Sequence, residues 1–386
     1  MSREGNSAPV LGPLLLLAAA GTAAALGATA DVPALHRLND RVIASAFTGV
    51  NEVVCTYCLF QVVSAAYQVG NPVVRKEIED ALGHGDPRAL SEALLDAADR
   101  LPTLNGTLTG YYQTGAFDQC PMRTKRDQCA SIAALLDKRG ESVDFKDPQT
   151  TDRINAAVER ATAGKIRDLF AFLPSSTKLV FASTLVFQDK WLSRLTTVKD
   201  RFLLTRDRTT VKVPTLINED HMPFLDSDDG VQGVSMPYEH PAIRLFCFKA
   251  REESADIRFL LYQRHYLEMS NATKRLVQVR MPKFDLVSKK YSYIDLMQQM
   301  GMETMFRNGL GPQDSLKVDQ LVHKAVIQAD EHGTSAAGAA GIAIVPTSLG
   351  PRPTLLRFDR PFICSLVHQE LNQPLFTAYI FDPRSN

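Results

Sequence analysis

Ala329-Asp330-Glu331-His332-Gly333-Thr334-Ser335-Ala336-Ala337-Gly338-Ala339-Ala340-Gly341-Ile342-Ala343-Ile344-Val345-Pro346-Thr347-Ser348 is the stretch whose reading decides the fold. An acidic pair leads into a run of Gly, Ala, Ser and Thr with no charge and no large side chain. The run then turns β-branched and reaches Pro346. Such low complexity usually marks a flexible linker. The flanks argue otherwise, because Lys317 to Ile327 before it and Leu355 to Val367 after it both have strand composition. The stretch therefore interrupts a folded domain instead of joining two.

Outward from there, the chain has 386 residues, 45% of them hydrophobic, which is ample material for a sizeable core. Its 43 basic residues balance 43 acidic ones, so no basic footprint for nucleic acid exists. Helical spacing recurs over Leu35 to Ala46, Leu59 to Val69, Pro72 to Leu82 with a stop at Gly83, and Ser91 to Leu101. Strand composition follows at Gly115 to Phe117, Val143 to Phe145, Lys178 to Phe187 and Thr209 to Leu216, with a helix-turn-helix pattern over Asp152 to Phe170 broken at Gly164. Further strands are expected at Val231 to Pro237, Ala242 to Lys249, Ile257 to Tyr262, Leu276 to Leu286 and Phe376 to Phe381, with a helix at Ser292 to Met300. Helices and strands mix without regular alternation, which predicts one large α+β domain over residues 31–386.

Residues 1–30 have the layout of a secretory signal peptide: Arg3, an apolar run from Val10 to Leu26, and Ala28-Thr29-Ala30 before Asp31. A signal anchor is the competing reading, weakened by Gly12-Pro13, Gly21, Gly27 and many alanines. No later stretch is long and apolar enough for a membrane. Secretion and an extracellular location fit the sequons at Asn105 and Asn271, each a glycan acceptor in the secretory pathway.

Catalytic motifs are missing. No His-Glu-x-x-His pair, zinc-spaced His/Cys cluster, phosphate loop or Gly-x-Ser-x-Gly elbow occurs, so neither an enzyme, a metal site nor a cofactor is expected. Six cysteines are too sparse for a disulfide scaffold, and one or two bridges are expected. Cys55-Thr56-Tyr57-Cys58 has redox spacing at a helix start, yet it lacks a thioredoxin-like βαβ context, and two buried thiols are the favoured reading. Cys120 and Cys129 bracket a basic segment that a disulfide could close. Its Arg123-Thr124-Lys125-Arg126 core resembles a furin-type processing site, though a solvated basic loop is favoured.

A set of ordered motifs resembles the serpin family from about Leu35 to Pro383. They are Ile154-Asn155-Ala156-Ala157-Val158 with Gly164-Lys165-Ile166, Gln188-Asp189-Lys190-Trp191, Val211-Lys212-Val213-Pro214 and Met281-Pro282-Lys283-Phe284. His323-Lys324-Ala325, Glu331-His332-Gly333-Thr334 and Arg360-Pro361-Phe362 complete the set, and the hinge is like that of antitrypsin-type members. The resemblance implies a layered α+β fold of three β-sheets and about nine helices, with an exposed reactive-centre loop at about 331–353. It further implies a suicide inhibitor: a serine protease, or a cysteine protease, cuts the loop, which then inserts as a new central strand.

That expectation gives the opening stretch a physical purpose. A strand that slides into a sheet must carry no charge to desolvate. Alternate residues face opposite sides, and neither set from Thr334 to Pro346 holds a charge. Small hinge residues, Gly333, Thr334, Ser335, Ala336, Ala337, Gly338 and Ala339, ease the first step of insertion. Speed matters, because the acyl bond to the protease otherwise hydrolyses. By resemblance, Glu331 pairs with Lys283 at the loop base, and the family distance from Glu331 places the scissile bond at Thr347-Ser348. Ile344-Val345-Pro346-Thr347 suits a shallow apolar pocket of the elastase kind. Leu349-Gly350 is an alternative for a chymotrypsin-like target, while Pro353 disfavours a cut after Arg352.

The chain also departs from the family. A polar latch under the main sheet falls on Cys55, Cys58, Ser183 and His323, and the first three replace the family's residues. A weaker latch would ease insertion, promote a latent form or a loop-sheet polymer of the expected monomer, or mark lost inhibition. The runner-up is accordingly a non-inhibitory serpin that carries a ligand or binds a protein. No dense Lys/Arg helix face supports a glycosaminoglycan cofactor.

Overall fold

Leu38, Val42, Ile43 and Ala46 are buried along one side of helix α1 (Pro33–Ala46), the spacing of an apolar helical stripe. The molecule is described by a computed structural model over residues 33–83, 105–114, 140–187, 189–287, 291–310, 316–334, 352–369 and 372–384. Expectations for the signal peptide, the Ser91 helix, the Gly115 strand, the Cys120 and Cys129 pair, and the loop from Ser335 to Thr347-Ser348 and Leu349-Gly350 lie outside the described residues.

Helix α2 (Thr56–Val69) starts at Cys55, whose sulfur accepts from the Cys58 N–H at 3.0 Å. Helix α3 (Pro72–Leu82) has stronger punctuation. Asn71 accepts from the Val73 and Val74 N–H groups, and Gly83 ends the helix in the left-handed region at φ 60°. These three helices share a core with Phe246, Phe248, Ile363 and Tyr379 of one sheet and Leu179 and Phe181 of another.

The main sheet has strand order β11 (Phe284–Val287), β13 (Gln320–Ala329), β4 (Leu179–Val186), β2 (Asn105–Gln113), β3 (Gly140–Val143), and β12 (Tyr291–Ser292) also pairs with β13. At its centre β13 and β4 run parallel, from Gln320 opposite Val180 to Val326 opposite Val186. Alternation divides their side chains between two cores. Val180, Ala182 and Val322 meet α4 (Thr150–Ala161), whereas Leu179, Phe181 and Leu321 meet α1 to α3. By the same parity Ser183 and His323 face the α2 side.

A second sheet of nine strands has the order β1 (Glu52–Val54), β17 (Gln373–Ile380), β16 (Phe362–His368), β9 (Ile243–Ala250), β8 (Val231–Pro237), β7 (Thr209–Asp226), β10 (Lys274–Pro282), β15 (Thr354–Arg357). Strand β6 (Thr196–Leu204) pairs with the start of β7. The long β7 serves two neighbours in turn, pairing with β10 through Pro223 and with β8 from Phe224. A two-stranded patch joins β5 (Asp189–Lys190) to β14 (Gly333–Thr334). The three-sheet α+β architecture is thus present, with six α-helices among the described residues. None of them is long and apolar enough to cross a membrane.

Two local expectations are corrected. The Ile257 to Tyr262 stretch is a 3-10 turn (Ile257–Phe259), because the Asp256 carboxylate accepts the Arg258 N–H and closes the chain on itself. The second helix expected before Phe170 does not form. Asn155 on α4 instead holds the Phe170 backbone by a donated and an accepted bond of 2.8 and 2.9 Å, and the segment between runs through turns and bends, with Asp168 in the left-handed region at φ 51°.

Asp40 on α1 accepts from the N–H of Gln263, the first residue of α5 (Gln263–Ser270), at 3.0 Å. Burial pushes its carboxyl up to about 6, and that backbone bond opposes the rise. The folded chain therefore binds this proton more tightly than the unfolded chain between about pH 4 and 6. Stability from this group falls as pH rises through that window. Asp40→Asn keeps the acceptor and removes the charge, so it should stabilise at pH 7.5 by about 1 kcal/mol after allowing for partial exposure, and by nothing at pH 4. Thermal melts at both pH values test this; a difference that ignores pH contradicts it.

Candidate functional site

Where β13 ends, the chain is caught by a single tryptophan. The Trp191 indole N–H donates to the Asp330 carbonyl at 2.7 Å, and its backbone N–H donates to the His332 carbonyl at 3.2 Å. The ring is buried and stacks on Tyr238 at 4.5 Å, with Phe187 edge-on to the tyrosine at 4.9 Å. Asp330 tightens the bend by accepting the His332 N–H. Gly333 and Thr334 then pair with Lys190 and Asp189, antiparallel to β5.

The Lys283 ammonium sits on the Glu331 carboxylate, as the resemblance places it. That bond holds the Glu331 carboxyl below its usual range. Both side chains are about a third exposed, so the pair is worth about 0–1 kcal/mol and acts on geometry. Lys283 is itself positioned by its N–H, which donates to the Pro214 carbonyl at 2.8 Å. Phe284 packs edge-on against Phe362 at 6.2 Å. Five motifs scattered through the sequence, those of Trp191, Pro214, Lys283, Glu331 and Phe362, therefore meet around one turn.

Below the turn, under the main sheet, the structure also brings Cys55, Cys58, Ser183 and His323 together. The ligating atoms of Cys55, Cys58 and His323 lie within 4.8 Å of one another, all buried. Ser183 stands beside His323 in register. The expectation of two free thiols is corrected: Cys55 and Cys58 form a disulfide, with Cα atoms 5.2 Å apart. Three intervening peptide units in a helical first turn allow that span. A disulfide donates no hydrogen bond, so neither the His323 nitrogens nor the Ser183 hydroxyl has a side-chain hydrogen-bond partner. Burial lowers the imidazole to about 3, the Ser183 backbone pulling weakly the other way, so the ring is neutral. The four latch positions are gathered, but without hydrogen bonds among their side chains.

Polar links absent from the sequence reading lie nearby. Asn39 accepts from the Thr56 and Thr377 hydroxyls at 3.0 and 3.4 Å, and Ser365 bridges Thr377 to Tyr266 at 3.1 and 2.7 Å. This buried chain ties α1 and α2 to β16, β17 and α5. One signal for it was available, since Asn39 falls on the apolar stripe of α1. A second disulfide, Cys247–Cys364, joins opposed residues of β9 and β16, and the Met281 sulfur lies 3.5 and 3.9 Å from the two. Of the two sequons, Asn271 is exposed just after α5, whereas Asn105 opens β2 opposite Val186.

Comparison with known proteins covers almost the whole described fold. The family model for serpin (serine protease inhibitor) matches residues 37–383. Serpin A9 of Mus musculus is 28% identical over 255 residues, 63% of this chain and 60% of that protein, so the match spans less than two thirds of that relative. Iripin-2 of Ixodes ricinus is 28% identical over 341 residues, 84% of this chain and 86% of that protein. Among solved structures, the native-state thermophilic serpin tengpin superposes with a TM-score of 0.78 at 17% identity, over 91% of this chain and 93% of that one. Human glycosylated kallistatin gives 0.72 at 21% identity, over 91% and 97%. These structures speak for the fold, and the family match together with the gathered hinge motifs decides the identity: the chain belongs to the serpin family of serine protease inhibitors.

Proposed function

We propose that the protein is a secreted suicide inhibitor of a serine protease with an elastase-like pocket, cut at Thr347-Ser348. One observation carries this reading. The two central strands, β13 and β4, are parallel neighbours, and the chain leaving β13 turns back to pair antiparallel with β5, which follows β4. A strand continuing from Thr334 between them would run antiparallel to both. One parallel ladder would become two antiparallel ones, and antiparallel pairing is the more stable per residue. Insertion is therefore downhill once the loop is freed at its far end.

Cleavage frees that end. The protease nucleophile attacks the Thr347 carbonyl, the amine of Ser348 leaves, and Thr347 remains bound as an ester to the protease. Insertion then competes with attack by water on that ester. The Lys283–Glu331 pair and the Trp191 bonds fix where the turn begins, so the hinge residues enter in one register. Beneath them, the latch without side-chain hydrogen bonds leaves the β13 and β4 strands held by backbone pairing and packing, which lowers the cost of parting them. The same ease exposes an intact monomer to loop-sheet polymerisation. Two disulfides among the described residues fit an oxidising compartment, as does a signal peptide over residues 1–30 ahead of one domain at 31–386. An exposed Asn271 suits a glycan.

Incubation with pancreatic or neutrophil elastase should give a complex that survives SDS, together with a released fragment whose mass corresponds to Ser348–Asn386. Thr334→Arg, which puts a charge into the inserting strand, should abolish the complex and leave plain cleavage. Cleavage of the wild type without a complex contradicts inhibition and favours a carrier or protein-binding serpin. A released mass starting at Gly350 or Pro353 moves the bait bond instead.

Cleaved wild-type protein should also unfold at a temperature more than ~10 °C above that of the intact chain. Cleaved Thr334→Arg should gain much less. Equal melting temperatures before and after cleavage of the wild type contradict strand insertion.

A further inference from the structure

Cys55, Cys58 and His323 stand apart from the hinge, and their grouping has chemistry of its own. The two sulfurs and one imidazole nitrogen lie within 4.8 Å of one another in the protein interior. Zinc bonds of about 2.3 Å to sulfur and about 2.0 Å to nitrogen place ligand atoms roughly 3.5–3.8 Å apart around one ion. Opening the disulfide lets the sulfurs separate to that span. The imidazole is available to ligate, being 1% exposed, with no side-chain hydrogen bond at either ring nitrogen. The Cys55 sulfur accepts the Cys58 N–H at the start of α2.

We propose that, once its Cys55–Cys58 disulfide is reduced, this chain holds a zinc-class divalent ion through the two thiolates and His323. Charge selects the ion. Two thiolates and a neutral imidazole cancel a divalent cation, so the buried site carries no net charge, whereas a monovalent ion would leave an uncompensated negative charge in the interior. The fourth position falls to water or to Ser183, which is beside His323 on the same face and has a partnerless buried hydroxyl.

The steps balance. A dithiol reductant of the thioredoxin class breaks the Cys55–Cys58 bond, its own two sulfurs join as a disulfide, and its two protons pass to the cysteine sulfurs. Ion binding then releases those two protons to solvent. The ion ties the first turn of α2 to strand β13, two elements linked at this point by packing alone. Metal binding itself is independent of whether the protein inhibits a protease.

The test uses the full-length chain, reduced with dithiothreitol, desalted under argon and titrated with Co2+ as the zinc probe. Expected are the visible bands of tetrahedral Co2+ and a near-ultraviolet thiolate charge-transfer band, saturating at one ion per chain and bleached by Zn2+. The spectrum should persist in Cys120→Ser/Cys129→Ser and in Cys247→Ala/Cys364→Ala. It should vanish in Cys55→Ser/Cys58→Ser, and His323→Gln should weaken Co2+ binding at least about tenfold. Circular dichroism tracks folding in each case. A reduced native chain without the spectrum, a spectrum that survives loss of Cys55 and Cys58, or a chain that unfolds on reduction before taking up the ion overturns the proposal.

Discussion

The parallel ladder between β13 and β4 is the constraint on which the rest of the molecule depends. It is the only parallel contact in the middle of the main sheet among the described residues, and both faces beside it are packed, by α4 above and by α1 to α3 below. Parallel pairing there leaves a more stable alternative within reach of the same chain. In the proposed reading, the charge-free sequence between Thr334 and Pro346 supplies the strand for that alternative.

Two groups of residues bear on that alternative in different ways. At the top of the sheet, Trp191, Lys283 and Glu331 fix the turn through directional bonds, so the hinge is specified closely at small cost in stability. Beneath the sheet, Cys55, Cys58, Ser183 and His323 make no such bonds among their side chains, and a buried partnerless imidazole is itself a cost. The register of the hinge is thus firm and the hold on the central strands weak. A zinc-class ion at the reduced cysteines would reverse the second property without touching the first.

Much of this was legible in the sequence because the hinge is encoded locally and its partners lie in short motifs. By composition the charge-free run after Glu331 stood out only as an interruption of a folded domain, and its reading as an inserting strand, like the position of Lys283, followed from resemblance. Strands such as Val231–Pro237, buried over Gly233 to Met236, were marked by strand composition between turn residues. What stayed hidden depends on contacts between distant residues. The grouping of His323 with Cys55, Cys58 and Ser183 came from resemblance alone, and the bridge stayed hidden because a Cys-x-x-Cys pair reads the same as thiols or as a disulfide. The Ile257 stretch looks like a strand until Asp256 is seen to cap it, and the helix expected before Phe170 is displaced by Asn155, a residue fifteen positions earlier.

Amide hydrogen exchange across the β13 and β4 strands and residues 335–346, measured before and after cleavage by elastase, bears on the central claim most directly. The account predicts that protection over 335–346 rises on cleavage to the level of the two central strands, since those amides then pair on both sides. Protection over 335–346 that stays unchanged in the cleaved protein would contradict it.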